Sequence, residues 1–229
     1  MSLIFLDYME NNQPLQFEVR DVFDELSIVT EQRKKIATLL KPLNMIHRPS
    51  YDHSLRVGLL CRAIGRAMHL SERALLYSGL LHDIGKALIA PETLSKTQGW
   101  NSTDTQRMHE HVMLGYDLLR SNHFDFTAEV VLWHHNFQKD GYPKIHPALL
   151  HDYSLGTQVM IPYYGRLLAL ADYYDALHRV NDYFSSTEEM NGEKIKKLML
   201  DNNIDQMLLV EELYKVGVFT IAIKTPVPV

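Results

Sequence analysis

Apolar residues recur at helical spacing through most of the 229-residue chain. Positions i, i+3, i+4 and i+7 share one face of a helix, so this pattern predicts amphipathic helices with one buried face. Ser50 and Ser71 stand where N-caps are expected. No repeat or linker divides these segments, and we predict one all-α bundle. The predicted helical segments are VRDVFDELSIVTEQRKKIATLLKPL, SYDHSLRVGLLCRAIGRAMHL, SERALLYSGLLHDIGKAL, TQRMHEHVMLGYDLLRS, FTAEVVLWHHNF, YGRLLALADYYDALHRV, EKIKKLMLDNN and DQMLLVEELYKV.

The two ends of the chain have a different pattern. Short runs of β-forming residues, LIFLDYME and LQFEV, flank the turn-like NNQP, and VFTIAIKT follows the last helix. We predict an N-terminal hairpin and a small sheet completed by the C-terminal run, which pairs with the hairpin or with another subunit in a homodimer. The expected organisation is a β-like appendage at 1–20, a helical domain at 21–216 and a β-like tail at 217–229.

Charge and composition narrow the class of protein. A net charge of −5 and a pI near 6.2 give no reason to expect a nucleic-acid polymer as partner. No apolar run is long enough to span a membrane, and the N-terminal LIFL run lacks the basic residues that open a signal peptide. The single cysteine, Cys61, fits a reducing compartment. We therefore expect a cytoplasmic protein without a membrane partner.

Histidine and aspartate occupy core positions in several of the predicted helices. In LLHDIGKALI, His82 and Asp83 stand side by side within an apolar stretch. Burying such groups without partners costs about 1–3 kcal/mol for each polar group, and more for a charge. Five segments carry a histidine or aspartate on the predicted buried face, at His53, His82, His111, His134 and Asp172.

A shared metal site explains these residues better than five separate partners do. One core histidine usually bonds to a backbone carbonyl, but five at once would each need an unrelated partner. Imidazole and carboxylate suit a divalent transition metal, iron or manganese before zinc or nickel. With the adjacent Asp83 and His135 the donors number seven, which predicts two ions about 3.5–4 Å apart. His109 is two residues from His111, so we expect it to point elsewhere.

The order H…HD…H…HH…D resembles the HD superfamily of metal-dependent phosphohydrolases, and within it the HD-GYP class, which includes bacterial cyclic-di-GMP phosphodiesterases. The resemblance covers roughly residues 45–216 and implies a helical bundle around a metal site. The segments that carry it are HSLRV, LLHDIGK, HVMLG, HH, DGYP and RLLALADYYDAL. The metal ligands it implies are His53, His82, Asp83, His111, His134, His135 and Asp172.

The resemblance also implies roles for residues around the metals. Asp83 and Lys86 would be catalytic, with Lys86 against a substrate phosphate, and Tyr142 of the GYP motif would line the substrate loop. Asp175 would support the site by contacting a metal ligand, without binding the metal itself. The implied reaction is hydrolysis of a cyclic dinucleotide such as cyclic-di-GMP by water activated between two metal ions.

Some positions depart from the pattern of this class. Asn136 stands where a glutamate usually follows the double histidine, and Pro49 where enzymes with a third metal have an acidic residue. Asn181 and Phe184 replace two arginines that would suit the phosphates of a cyclic dinucleotide. We expect the nearby Arg179 to recover part of this contact. The substrate edge is therefore altered while the expected metal ligands are complete.

These departures keep two alternatives open beside cyclic-dinucleotide hydrolysis. One is a phosphohydrolase that acts on another nucleotide or small phosphoester, favoured by the two missing arginines. The other is a weakly active nucleotide-binding effector, favoured by the absence of a receiver or sensor segment in this sequence. Metal content and turnover of a generic phosphodiester distinguish the effector, and a panel of nucleotides distinguishes the two enzymes.

Overall fold

A computed structural model describes residues 15–178 and 191–220. Within these ranges the chain is helical and contains no β-strand, so the predicted all-α class is confirmed. None of the described helices has both the length and the apolar character needed to cross a membrane. The α-helices are α1 (Leu15–Glu25), α2 (Thr30–Ile46), α3 (Arg48–Ala67), α4 (Glu72–Leu81), α5 (Pro91–Leu94), α6 (Ser102–Ser121), α7 (Asp125–Val131), α8 (Leu155–His178), α9 (Gly192–Asp201) and α10 (Met207–Lys215), with 3-10 turns at Ile84–Leu88 and Ile204–Gln206.

Local sequence explains where several helices begin. The Ser71 hydroxyl accepts a hydrogen bond from the backbone N–H of Ala74, as predicted for the N-cap of α4. The predicted cap at Ser50 is wrong, because α3 begins earlier and His47 is its cap. Pro49 lies in the first turn of α3, where its missing N–H costs nothing.

The predicted strand LQFEV is also wrong, because these residues open α1. Val19 and Val22 are buried, and their spacing of three continues the helical face that Leu15 begins. A five-residue window was too short to show this period. The helical region thus starts at Leu15, while the rest of the predicted hairpin, residues 1–14, and most of the C-terminal run, residues 221–229, lie outside the described residues.

Two glycines allow the close backbone approaches that bring the site together. A Cβ on Gly79 of α4 would lie 2.7 Å from the Cα of Gly58 on α3, so a side chain there would force these helices apart. A Cβ on Gly85 would lie 1.9 Å from the carbonyl oxygen of His111. These contacts place the chain around Asp83 between α3 and α6.

The apolar core lies between α3, α4 and α8. Leu60, Leu76 and Leu168 are fully buried there, and so is Cys61. Burial raises the pKa of the Cys61 thiol, which keeps it in the unreactive protonated form. The functional side chains lie at the edge of this core, where α3, α4, α6 and α8 meet the segment after α7.

Candidate metal centre

The structure brings all seven predicted ligands together. Six of them form two groups of three residues, and within each group the donor atoms lie within 4.8 Å of one another. The groups adjoin, because Asp83 Oδ1 lies 3.3 Å from His111 Nε2. Asp172 joins the first group, with its Oδ1 3.0 Å from His53 Nε2. The first group is His53, His82 and Asp83, and the second is His111, His134 and His135.

Backbone carbonyls orient three of the imidazoles. His82, His111 and His134 each have Nδ1 within hydrogen-bond distance of the carbonyl three residues earlier, so Nδ1 must carry the proton and donate it. The Nε2 lone pair of each ring is then free for a metal, an arrangement typical of metal-binding histidines. The accepting carbonyl oxygens belong to Gly79, Met108 and Val131, respectively.

A carboxylate orients His53 in the same way. Its Nδ1 lies 2.7 Å from Asp175 Oδ2, and Arg56 donates to both oxygens of that carboxylate at 2.7 and 2.9 Å. Burial raises the Asp175 pKa, but the bond from His53 and the charge of Arg56 outweigh it and hold this pKa well below its usual value. Sequence reasoning missed Arg56, although a charged residue three positions after His53 on the same helix face was a usable signal.

Two buried atoms of the site have no hydrogen-bond partner among the described residues, His82 Nε2 and Asp83 Oδ1. A buried polar atom left unpaired costs about 1–3 kcal/mol. Both atoms are electron-pair donors within the cluster, and a divalent cation would satisfy both. The second Asp83 oxygen lies 2.6 Å from Lys86 Nζ. The residues present therefore fit a transition-metal site.

The pKa shifts agree with neutral imidazoles at His111 and His134 and with ionised carboxylates at Asp83 and Asp172. Burial lowers the pKa of His111 to about 3 and that of His134 to about 4, so both rings are neutral at pH 7. Burial raises the pKa of Asp83, but His82 and Lys86 hold it well below its usual value. Burial likewise raises the Asp172 pKa, but the neighbouring His53 and His82 hold it well below its usual value. These are the protonation states in which both residue types bind metal.

Tyr142 packs against the second group of ligands. Its ring stacks on His135, with centroids 4.6 Å apart and planes 22° apart. It also stacks on His109, with centroids 3.6 Å apart and planes 12° apart. His109 therefore belongs to neither group of donors, in agreement with the expectation that it points elsewhere, but it contacts the site through Tyr142. Spacing relative to His111 could not reveal this, because the contact comes from a different segment of the chain.

Asn136 closes the loop that carries Tyr142. Its amide Nδ2 donates to the carbonyl of Pro143 at 3.3 Å, and its Oδ1 lies 3.2 Å from His146 Nε2, which donates to it. A glutamate carboxylate at this position could not donate to Pro143. Among the other substrate-edge positions, Arg179, Asn181 and Phe184 lie outside the described residues.

A helical bundle that gathers histidines and aspartates from distant segments defines a domain built around a metal site. The chain belongs to the HD domain family, which matches it over residues 50–177. This match covers every predicted ligand, from His53 to Asp172.

Curated relatives cover the same region. The chain is 30% identical over 160 residues to a cyclic di-GMP phosphodiesterase of Thermotoga maritima, covering 65% of this chain and 40% of the relative. It is 26% identical over 172 residues to 3'3'-cGAMP-specific phosphodiesterase 2 of Vibrio cholerae, covering 70% of this chain and 31% of the relative. It is 27% identical over 183 residues to 3'3'-cGAMP-specific phosphodiesterase 1 of the same organism, covering 74% of this chain and 39% of the relative. The chain therefore spans 40% or less of the length of these relatives.

Solved structures show the same fold. The HD domain of the L. monocytogenes phosphodiesterase PgpH, crystallised with cyclic-di-AMP, superposes with a TM-score of 0.53 at 19% identity, covering 79% of this chain and 93% of that one. A second crystal structure of that domain gives a TM-score of 0.51 at 21% identity, covering 76% and 86%. At these identities the likeness supports the fold alone.

Proposed function

We propose that this chain is a metal-dependent phosphodiesterase of the HD-GYP class that hydrolyses a cyclic dinucleotide. The observation that carries the proposal is the convergence of the imidazole and carboxylate donors, three of the rings turned by backbone carbonyls so that Nε2 is unprotonated. The curated relatives that share this region are named as phosphodiesterases of cyclic dinucleotides.

The two groups of donors support two divalent transition-metal ions. His53, His82 and Asp172 would hold the first, and His111, His134 and His135 the second, with Asp83 between them. The position of Asp83 supports this division, because its oxygens lie 3.7 Å from His53 Nε2 and 3.3 Å from His111 Nε2. When bound, the ions supply Lewis acidity toward a phosphoryl group and an attacking water.

Residues of the chain supply orientation and charge. Asp175 and Arg56 hold His53, so its Nε2 stays directed at the cluster. Lys86 Nζ lies 2.6 Å from Asp83, and its side chain is 20% exposed, so its ammonium can also reach a phosphate at the edge of the site. We propose that Lys86 stabilises negative charge on the substrate, with Asp83 fixing its position.

A second candidate function is hydrolysis of another nucleotide or small phosphoester. The observation that favours it is the replacement of two expected arginines by Asn181 and Phe184. Each charge-assisted phosphate contact is worth roughly 1.5–3 kcal/mol, so losing two could weaken cyclic-dinucleotide binding by roughly two to four orders of magnitude. Arg179 would recover part of this loss.

A substrate panel tests the proposal. The purified chain, loaded with Mn²⁺ or Fe²⁺, is assayed with cyclic-di-GMP, 3'3'-cGAMP, cyclic-di-AMP, linear nucleotides and a generic phosphodiester. We expect slow hydrolysis of cyclic-di-GMP with a high KM, and a higher KM still in Arg179→Ala. Cleavage of another phosphoester without any cyclic-dinucleotide turnover would favour the second candidate. Full metal occupancy without any turnover would favour the weakly active effector.

Two variants separate the metal site from the substrate contact. Asp83→Ala should abolish hydrolysis and reduce metal content while helical content by circular dichroism stays nearly unchanged. Lys86→Ala should leave metal content unchanged and slow turnover, because its charge acts on the substrate. Loss of metal in Lys86→Ala would show that this division of roles is wrong.

The compartment and the oligomeric state stay predictions. The buried thiol of Cys61, the single cysteine of the chain, supports a cytoplasmic location. A homodimer was predicted from pairing of the C-terminal run, most of which lies outside the described residues.

A further inference from the structure

Both faces of the Tyr142 ring are occupied. The His109 ring lies nearly parallel to it with centroids 3.6 Å apart, so it occupies one face of the Tyr142 ring. The His135 ring is also nearly parallel at 4.6 Å, and it must therefore lie against the opposite face. A nucleobase cannot stack on Tyr142 in this arrangement, which leaves the ring edge and the hydroxyl for contact with a substrate.

The stack joins the loop after α7 to helix α6. The loop folds back on itself, because the Tyr142 N–H donates to the His135 carbonyl at 3.4 Å and Asn136 donates to Pro143. Tyr142 then reaches across to His109, which is half-buried on α6. His109, Tyr142 and His135 thus form a continuous stack from α6 to the second group of predicted ligands.

His135 differs from the other two imidazoles of its group in its support. Backbone carbonyls within their own turns fix His111 and His134. The Nδ1 of His135 instead lies 2.8 Å from the side-chain amide nitrogen of the exposed Gln138, and metal binding through Nε2 requires this amide to turn its oxygen toward a proton on Nδ1. One exposed hydrogen bond fixes the position of a ring edge but leaves the plane of the ring free to turn, and stacking restrains that plane.

We propose that His109 is a positioning residue for the metal centre, which acts through Tyr142 to hold the ring plane of His135. This inference rests on the proposed function, because it takes His135 as a metal ligand. Stacking needs a flat ring rather than a particular nitrogen. Phenylalanine at this position should therefore preserve the effect, whereas alanine should remove it.

Titration of the metal-stripped chain with Mn²⁺ by isothermal calorimetry tests the inference. His109→Ala should bind Mn²⁺ roughly 3- to 10-fold more weakly in the second group of ligands, a range that follows from the strength of aromatic pairs. His109→Phe should stay within about twofold of the wild type on the same scale. Glu110→Ala is the matched control, because Glu110 is the exposed neighbour on the same helix, and it should leave affinity unchanged. Amide hydrogen exchange in residues 141–144 should be faster in His109→Ala than in the other two variants.

Each result decides the inference. Unchanged Mn²⁺ affinity in His109→Ala overturns it, and equal weakening in His109→Phe shows that a nitrogen, not the stack, matters. A higher KM with unchanged Mn²⁺ affinity would place His109 on the substrate instead. If the chain binds Mn²⁺ but hydrolyses no cyclic dinucleotide, the titration still tests the role of His109, because it measures metal affinity and not turnover. If the wild-type chain binds no Mn²⁺, the proposed function and this inference are both wrong.

Discussion

The Nδ1 atom of His53 lies 2.7 Å from Asp175 Oδ2, although 122 positions separate the two residues in the sequence. Because the carboxylate only accepts, His53 donates from Nδ1 and directs Nε2 toward Asp172 and Asp83, at 3.0 and 3.7 Å. Arg56 holds the same carboxylate from its other side. The pair therefore sets which nitrogen of His53 faces the predicted metal site.

Asp175→Asn should weaken metal binding. An asparagine keeps the size of the side chain but loses the charge that orients His53 and pairs with Arg56, and residues in such positions typically change metal affinity by about 10- to 100-fold. Mn²⁺ titration measures the change, with Asp201→Asn on the exposed end of α9 as a control. Wild-type affinity in Asp175→Asn would show that the His53–Asp175 pair has no role in metal binding.

Metal removal should lower the melting temperature. A ligand that binds only the folded state at 100 times its Kd adds about 2.7 kcal/mol, which corresponds to roughly 5–10 °C for a chain of this size. Differential scanning fluorimetry with and without a chelator measures the shift, and Asp83→Ala should respond little. Elemental analysis should find two ions per chain, and less than one after growth in metal-replete medium would contradict the two-ion proposal.

Gly85→Ala should destabilise the fold strongly. The added Cβ would meet the His111 carbonyl oxygen at 1.9 Å, so the turn and α6 must separate. Overpacking of this kind costs about 1–3 kcal/mol or more. Gly156→Ala is the matched control, since the nearest atom to its Cβ is 3.9 Å away, and it should be neutral or slightly stabilising. Urea unfolding compares the two, and equal stability would show that the turn can move at little cost.

Glu129→Gln should change how stability depends on pH. Glu129 is buried on α7 and accepts a hydrogen bond from the Leu150 N–H at 2.6 Å. Burial raises its pKa above the usual 4.5, so the folded state binds the proton more tightly than the unfolded state. This contribution to stability is full below about pH 4.5 and is lost as pH rises through the raised pKa.

Glutamine keeps the acceptor without titrating, so the gain in stability of Glu129→Gln over the wild type should grow from pH 4 to pH 7. Urea unfolding across that range measures the gain, and comparison within each pH cancels the titration of the metal site. A difference between the two proteins that stays constant with pH would contradict the prediction.

Periodicity determined the helical fold and the faces on which the site residues lie. Apolar spacing predicted helices for most of the chain, and it placed His53 and His111 on buried faces because a period of 3.6 fixes the direction of each residue on its own helix. The HD motif order then predicted the family, which is confirmed. Apolar spacing gave a wrong prediction for LQFEV, because these five residues are too few to show the helical period and the buried face is complete only with Val22.

Tertiary structure alone decided which side chains meet and which atoms they present. The close approach of Gly79 to Gly58 and of Gly85 to His111 brings separate helices to one centre, and no helical period encodes the distance between two backbones. For the same reason the stack of His109 on Tyr142 could not be predicted, because it joins segments 33 residues apart. Sequence thus determined the composition of the site, because composition depends on the position of each residue along its own helix. Packing decided its protonation and supporting contacts, because these depend on distances between helices.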